Sequence, residues 1–194
     1  MPQSFFITMT SQDRPGVLAA VTTAFAELGG DMKYATQVVV HGLFTMTVAA
    51  DFPPHRSWEV IRDHLHDAGR PYDMAVLIRA IPPENNVQIH SGERYFLSVT
   101  GHDAPGVVRA LCALLAQRLV DIQRLFAVPN SSESFSLVMQ LNIPESTEAE
   151  ELSSELETFG ALNGLNVVFQ HEEIYNVSDF PREIATEFLP ETQS

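Results

Sequence analysis

The chain has 194 residues, 45% of them apolar and 19% charged, and a formal net charge of −14. This composition can form a packed core and argues against disorder along the whole chain, and the length fits two small domains. Because only 11 residues are Lys or Arg, direct binding to a nucleic acid is not expected. The acidic surface has two interpretations: a solvated surface that maintains solubility, or a surface that docks a basic partner protein.

A single cysteine, Cys112, leaves no internal disulfide and no cysteine pair for zinc or dithiol chemistry. It lies in the apolar run Val107–Leu119 and is expected to be a core residue. The first residues do not form a basic segment followed by a long apolar one, and no stretch approaches the roughly 18 apolar residues of a membrane span. We therefore expect a cytoplasmic protein without a membrane segment.

In chain order, the first predicted elements are a strand and a helix. Phe5–Thr10 alternates between apolar and polar positions, as a half-buried strand does. Pro15 is typical of a first helical turn, and Gly29-Gly30 is typical of a helix end. Between them runs an apolar stripe at helical spacing, formed by Val17, Leu18, Val21, Phe25 and Leu28.

A hairpin, a second helix and a fourth strand follow. Tyr34–Val40 and Leu43–Ala50 are β-branched and alternating, and His41-Gly42 between them predicts a tight turn. Ser57 is positioned to cap the next helix, and Met74–Ile81 predicts the last strand. The buried face of that helix is predicted to consist of Trp58, Ile61, Leu65 and Ala68.

The same pattern recurs at an offset of 90 residues. Tyr95–Ile122 aligns without a gap with Phe5–Met32, and nine aligned pairs are identical. Two copies of this length indicate duplicated domains. The second copy continues with hairpin strands at Ile122–Val128 and Phe135–Leu141, a capping box at Thr147-x-x-Glu150 that opens a helix, and a last strand at Val167–Tyr175.

The element order predicts an α+β fold of two tandem ferredoxin-like βαββαβ domains with antiparallel sheets. The predicted boundaries are domain 1 at 1–82, a linker at 83–92, domain 2 at 93–176 and an acidic C-terminal tail at 177–194. Uncovered sheet faces and edge strands favour pairing, so a homodimer is expected.

Core packing does not explain the turn between the first strand and the first helix of each copy. This turn spans Ser11–Gly16 in copy one and Gly101–Gly106 in copy two. A helix N-terminus presents unpaired N–H groups that can hold a small carboxylate, and a glycine there permits close approach. The alternative interpretation is that Asp13 and Asp103 are N-caps and that the Pro and Gly residues only shape the turn.

An Asp-x-Pro-Gly turn that opens an amphipathic helix within βαββαβ resembles the ACT domain. Two copies without a catalytic domain are similar to the glycine cleavage system transcriptional repressor family, and they also resemble the regulatory regions of formyltetrahydrofolate deformylases and of some phosphoserine phosphatases. The resemblance implies a non-enzymatic regulator that binds an amino acid where the first turn of one domain faces the second strand of a neighbour. In the repressor family, the implied partner is a DNA-binding activator protein.

Applied to this chain, the resemblance implies ligand contacts in both turns. It also implies that the aspartates at the start of the second strands pair with the ammonium group of the ligand. Those aspartates could instead close a helix-to-strand turn. Arg14 can pair with a carboxylate whereas Ala104 cannot, so unequal sites are expected and copy one is favoured for an anionic ligand. The candidates are Asp13, Arg14, Pro15, Gly16, Val17 and Asp31 in copy one, and Asp103, Ala104, Pro105, Gly106, Val107 and Asp121 in copy two.

No catalytic residue, cofactor or metal site is predicted. The seven histidines form no ligand motif, and neither a nucleophile elbow nor a phosphate-binding loop is present. Three alternatives stay open: an enzyme that uses Asp13, His102 or the acidic tail, a ligand-free interaction module, and a detached regulatory subunit of an enzyme of amino-acid or one-carbon metabolism.

Overall fold

The computed structural model describes residues 3–82 and 92–174. The chain divides into two compact units, Met1–Val87 (unit 1) and Gln88–Ser194 (unit 2). Each unit has the order βαββαβ and a four-stranded antiparallel sheet, which confirms the predicted α+β, ferredoxin-like class. The predicted linker 83–92 lies outside the described residues except for Gly92, and so do the predicted tail 177–194 and Tyr175.

In unit 1 the strand order is β2-β3-β1-β4, so β1 is central and β2 is an edge strand. A short 3-10 turn, Arg70–Tyr72, connects the second helix to the last strand. The elements are β1 Gln3–Gln12, α1 Val17–Leu28, β2 Asp31–Val40, β3 Leu43–Phe52, α2 Trp58–Gly69 and β4 Ala75–Ala80.

The core of unit 1 lies between the sheet and its two helices. Phe5, Ile7 and Met9 alternate along β1 and are all buried, as their period-2 spacing predicts. The ring of Phe52 lies 6.1 Å from that of Phe5 and 5.6 Å from that of Phe25, so an aromatic cluster joins β1, β3 and α1. Burial of each such side chain contributes about 1.5–3 kcal/mol.

Local signals set the turns of unit 1. His41 and Gly42 both have left-handed φ, +50° and +75°, as a type I′ hairpin requires, so the predicted hairpin is confirmed. The backbone N–H of Val60 donates to the Ser57 hydroxyl, which confirms the predicted cap of α2.

Two predictions about apolar side chains in unit 1 are wrong. Trp58 was expected on the buried face of α2 but is 46% exposed, because it is the first helical residue and the Arg62 guanidinium lies 5.1 Å from its ring centre. Leu18, expected in the buried stripe of α1, is also exposed. Pro15 lies in the turn before α1 and not in its first turn.

Unit 2 repeats the topology with the order β6-β7-β5-β8, so β5 is central and β6 is an edge strand. Its core again lies between the sheet and two helices, and Cys112 packs half-buried against it, in agreement with the predicted core position. The elements are β5 Gly92–His102, α3 Val107–Gln117, β6 Asp121–Pro129, β7 Ser134–Pro144, α4 Ala149–Asn163 and β8 Leu165–His171.

The predicted capping box of α4 is wrong. The residue that precedes the helix is Glu148, and no side chain caps it. The Thr147 hydroxyl instead donates a 2.7 Å hydrogen bond to the carbonyl oxygen of Arg118. The apolar run of α3 also ends early: the helix stops at Gln117, and Leu119 is exposed with φ +58°.

Candidate functional site

In unit 1 the candidate site is the turn between β1 and α1. The backbone N–H of Asp13 donates to the carbonyl oxygen of Gly42 at 2.9 Å, which ties the turn to the tip of the β2–β3 hairpin. Gly16 has φ +98° and immediately precedes α1, a conformation that favours glycine. Asp13 to Gly16 are exposed, whereas Val17 is buried in the core.

The corresponding turn of unit 2 has the same geometry. The backbone N–H of Asp103 donates to the carbonyl oxygen of Glu133 at 2.9 Å, and Gly106 has φ +91° immediately before α3. Val107 is buried, and Ala104 and Pro105 lie at the surface of the turn. The repeated Asp-x-Pro-Gly motif therefore adopts the same backbone conformation in both units.

Neither α1 nor α3 begins with a side-chain cap. The alternative interpretation of Asp13 and Asp103 as N-caps is therefore wrong, because a glycine occupies the capping position in both units. The first turns of α1 and α3 also contain no acidic residue, whereas α2 has Ser57 as its cap and α4 has two glutamates in its first turn. No side-chain cap and no acidic residue of the first turn therefore compensates the partial positive charge at the starts of α1 and α3.

The two turns differ in the position of the nearby arginine. Arg14 lies in the turn of unit 1, where its Nη2 donates to the side-chain oxygen of Gln12. Unit 2 has Ala104 at this position, but Arg109, the third residue of α3, is exposed. Arg109 is not among the residues predicted from the sequence, although it is visible in the gapless alignment of the two copies, where it is paired with Ala19.

Asp31 and Asp121 do not lie near the turn of their own unit. Asp31 pairs with Asp51 in β3, which pairs with Ser4 at the start of β1, whereas the turn follows the end of β1 at Gln12. At about 3.3 Å per residue, the two ends of the sheet are separated by roughly 25 Å. Within one unit, therefore, the structure brings together the five candidates of the turn. The sixth candidate, Asp31 in unit 1 or Asp121 in unit 2, lies at the other end of the sheet.

The two aspartates have local partners at their own end of the sheet. Asp31 forms an ion pair with Lys33, whose Nζ also lies 3.9 Å from the carboxylate of Asp51. The hydrogen bond to Asp31 raises the pKa of Lys33 above its ordinary value. Asp121 accepts a 2.6 Å hydrogen bond from the side-chain amide of Gln123.

Two cavities of the described residues lie away from the turns. A groove of about 510 Å³ in unit 1 is lined by Phe6, Thr8, Leu77 and Arg79 and by 80–82. A second cavity, of about 440 Å³, lies at the start of α4, and four of its nine lining residues are glutamates. Neither contains a predicted site residue.

Within residues 3–82 and 92–174, no cluster of three or more His, Cys, Asp or Glu side chains is arranged to hold a metal ion. Over the same residues, no helix combines the length and the apolar character that a membrane span needs.

Comparison with known families identifies the class of protein. Residues 5–54 and residues 93–170 each match the ACT domain, and together these matches cover more than half of the chain. The chain therefore belongs to the ACT-domain family and is a tandem ACT-domain protein. This assigns it a regulatory role and confirms the resemblance carried by the two Asp-x-Pro-Gly turns.

Solved structures share this fold. A protein of unknown function from Galdieria sulphuraria is 19% identical, with a TM-score of 0.73, over 88% of this chain and 99% of that one. A protein proposed to be a glycine cleavage system transcriptional repressor is 17% identical, with a TM-score of 0.64, over 88% of this chain and 98% of that one. No curated protein sequence matches significantly.

Proposed function

We propose that this tandem ACT-domain protein is a non-enzymatic, cytoplasmic regulator that binds an amino acid at the turns before α1 and α3 and modulates a partner protein. One observation carries the proposal. Both helices begin at a glycine with left-handed φ, without a side-chain cap and without an acidic residue in the first turn. In both ACT units, therefore, neither a side-chain cap nor an acidic residue of the first turn compensates the partial positive charge at the start of this helix.

The chemistry of this turn fits the carboxylate of an amino acid. Val17 and Val107 donate their N–H groups to the carbonyl oxygens of Arg14 and Ala104. The N–H groups that follow in the first helical turn can donate to the oxygens of the ligand carboxylate, and the helix dipole favours its negative charge. The lack of a side chain at Gly16 and Gly106 permits close approach to the backbone. An exposed guanidinium, Arg14 or Arg109, can pair with the same carboxylate.

The ammonium group of the ligand needs an acceptor from elsewhere. Asp31 and Asp121 lie at the other end of their own sheets, so neither can reach a ligand held at the turn of its own unit. If these aspartates bind the ammonium group, the site is completed by another ACT unit. This requirement links ligand binding to the packing of ACT units, which is how a ligand could shift an equilibrium between two arrangements.

A second copy of the chain is the assembly we propose. All ten residues of β2 are exposed, and the strand has an open hydrogen-bonding edge. Its end is apolar, with Val38, Val39 and Val40 all exposed. An edge strand of this kind favours pairing with another strand, and two-fold pairing is the commonest form of assembly.

The partner protein is proposed to be basic and to act in transcription. The net charge of −14 favours contact with a positively charged protein surface over contact with a nucleic acid. The structural likeness to a protein proposed to be a glycine cleavage system transcriptional repressor supports this kind of regulation.

A thermal-shift screen of the purified full chain against the standard amino acids, glycine and serine first, tests the proposal. A ligand present at a hundredfold its dissociation constant stabilises the native state by about 2.7 kcal/mol. We expect a selective rise in melting temperature that substitution of the arginine at the occupied turn reduces: Arg14→Ala if the ligand binds in unit 1, and Arg109→Ala if it binds in unit 2. Arg94→Ala, a substitution of an exposed residue at the start of β5, is the matched control and should keep the full shift. No shift with any amino acid would contradict the proposal.

A further inference from the structure

The turns of the two ACT units differ in what lies above their glycines. A β-carbon added at Gly16 would lie 2.7 Å from the hydroxyl oxygen of Tyr72 and 3.8 Å from its ring carbon Cζ. The Tyr72 hydroxyl therefore occupies the space on the side-chain side of Gly16, although the glycine itself stays exposed. A β-carbon added at Gly106 would meet no atom within 4 Å. The space beside the glycine is thus occupied in unit 1 and open in unit 2.

Tyr72 has a structural counterpart in unit 2, which is Asn163. Each directly precedes a residue with left-handed φ, +55° at Asp73 and +65° at Gly164, that leads into the last strand of its unit. The strand register agrees, because the third residue after each pairs with the aligned threonine of the central strand. These pairs are Ala75 with Thr10, and Asn166 with Thr100.

The two side chains are held in different directions. Tyr72 is half-buried and packs against the core of unit 1, at the end of a 3-10 turn that contains Pro71. Asn163 is shorter, and its amide nitrogen donates a 2.8 Å hydrogen bond to the carbonyl oxygen of Phe159, one turn back in α4. The side chain of Asn163 is thus tied to its own helix and leaves Gly106 uncovered.

We propose that Tyr72 is the residue that decides which turn takes the ligand: its phenol fills the space beside Gly16 that a ligand at the turn of unit 1 would need, so that the amino acid binds at the turn of unit 2. This inference rests on the proposed function and assigns its site to one of the two units. A guanidinium is available there as well, because Arg109 lies exposed in the first turn of α3. This assignment of the ligand to unit 2 differs from the prediction made from the sequence, in which Arg14 favoured copy one for an anionic ligand.

The first test needs no ligand. Hydrogen–deuterium exchange of the full chain should be slower at residues 16–19 than at residues 106–109, because the Tyr72 hydroxyl lies beside Gly16 at the start of α1. Tyr72→Asn should raise exchange at 16–19 by about tenfold or more, to the level of unit 2, and Asn163→Tyr should lower it at 106–109. Tyr72→Phe keeps the ring packed and should give an intermediate rate, and unchanged exchange in β1 shows that unit 1 stays folded. Equal exchange at the two turns of the wild type, or no effect of Tyr72→Asn, would overturn the inference.

The second test uses glycine and serine as probes, with binding followed by amide chemical shifts. In the wild type we expect saturable shifts at residues 106–109 only. Tyr72→Asn should add a second set of saturable chemical-shift changes at residues 16–19. Asn163→Tyr should weaken binding at residues 106–109 by about tenfold or more. Wild-type shifts at 16–19 would contradict the inference. If neither probe nor any other amino acid binds any variant, the proposed function fails, while the exchange experiment still decides whether Tyr72 closes the turn.

Discussion

Tyr72 lies so close to Gly16 that a methyl group added at Gly16 would come within 2.7 Å of the Tyr72 hydroxyl oxygen. The aligned glycine of unit 2, Gly106, has open space at the same point. Both glycines have left-handed φ, which costs a residue with a side chain about 1–2 kcal/mol. We therefore expect Gly16→Ala to lower the free energy of unfolding by more than Gly106→Ala does, as measured by urea denaturation.

A double variant separates the steric contact from the backbone strain. In Tyr72→Asn protein the phenol is gone, so Gly16→Ala should cost no more than the backbone strain that Gly106→Ala also causes. If Gly16→Ala and Gly106→Ala destabilise the wild type equally, the phenol does not hold its place beside Gly16 against an added methyl group.

The apolar face of α4 gives a prediction about the core of unit 2. Leu156 is fully buried, whereas Leu162 on the same helix is 81% exposed. Leu156→Ala should lower the free energy of unfolding by about 2–5 kcal/mol, because it leaves a cavity. Leu162→Ala should change it by no more than about 0.5 kcal/mol. Similar effects of the two substitutions in urea denaturation would show that α4 packs on another face.

An ion-pair cluster in unit 2 predicts a pH dependence. Arg118 donates from Nε to Glu155 at 2.9 Å and from Nη2 to Glu151 at 3.1 Å. The hydrogen bonds from Arg118 hold the pKa of Glu155 below its ordinary value of 4.5. Because the folded-state pKa is depressed, the stabilisation is complete above pH 4.5 and is lost as the pH falls through the folded-state value.

Arg118→Ala should accordingly lower the melting temperature at neutral pH by a few degrees at most, because the three side chains of the cluster are between one third and two thirds exposed to solvent. The difference from the wild type should shrink on acidification below pH 4.5. Arg70→Ala, which removes a more exposed pair with Asp67, is the control and should have a smaller effect. A difference from the wild type that is the same at pH 7 and pH 3 would rule out this account.

The exposed edge strand predicts how the proposed homodimer can be broken. Val39 in β2 and Val60 in α2 are equally accessible, at 44% and 46% exposed. Val39→Lys places a charge on the edge where a second strand would pair, and it should shift the mass measured by light scattering from dimer to monomer. Val60→Lys should leave the mass unchanged. A monomeric wild type would contradict the proposed assembly.

The sequence was sufficient for the fold because local signals and the repeat agree. The Asp-x-Pro-Gly turns and the alternation in the strands each occur twice, and the position of each element in one copy supports its position in the other. Trp58 was misplaced because apolar spacing alone does not show that the first residue of a helix can extend beyond the core. Thr147 lies at the sequence spacing of a capping residue, but its hydroxyl donates a hydrogen bond to the carbonyl oxygen of Arg118.

The candidate site was only partly predictable. The turns are local, so their residues could be read from the sequence. The Tyr72 phenol reaches Gly16 through the packing of the segment after α2, a contact between residues far apart in the chain that no local pattern encodes. The separation of Asp31 from the turn follows from the topology, because α1 returns the chain to the beginning of β1 before β2 starts.

Direct binding of an amino acid tests the central claim. Equilibrium dialysis of the full chain against radiolabelled glycine and serine, and then the other standard amino acids, should show saturable binding of at least one of them. Gly106→Ala, which adds a methyl group at the open turn, should weaken that binding, and Arg70→Ala should not. Saturable binding of no amino acid, with the protein folded, would contradict the account of this chain as an amino-acid-responsive regulator.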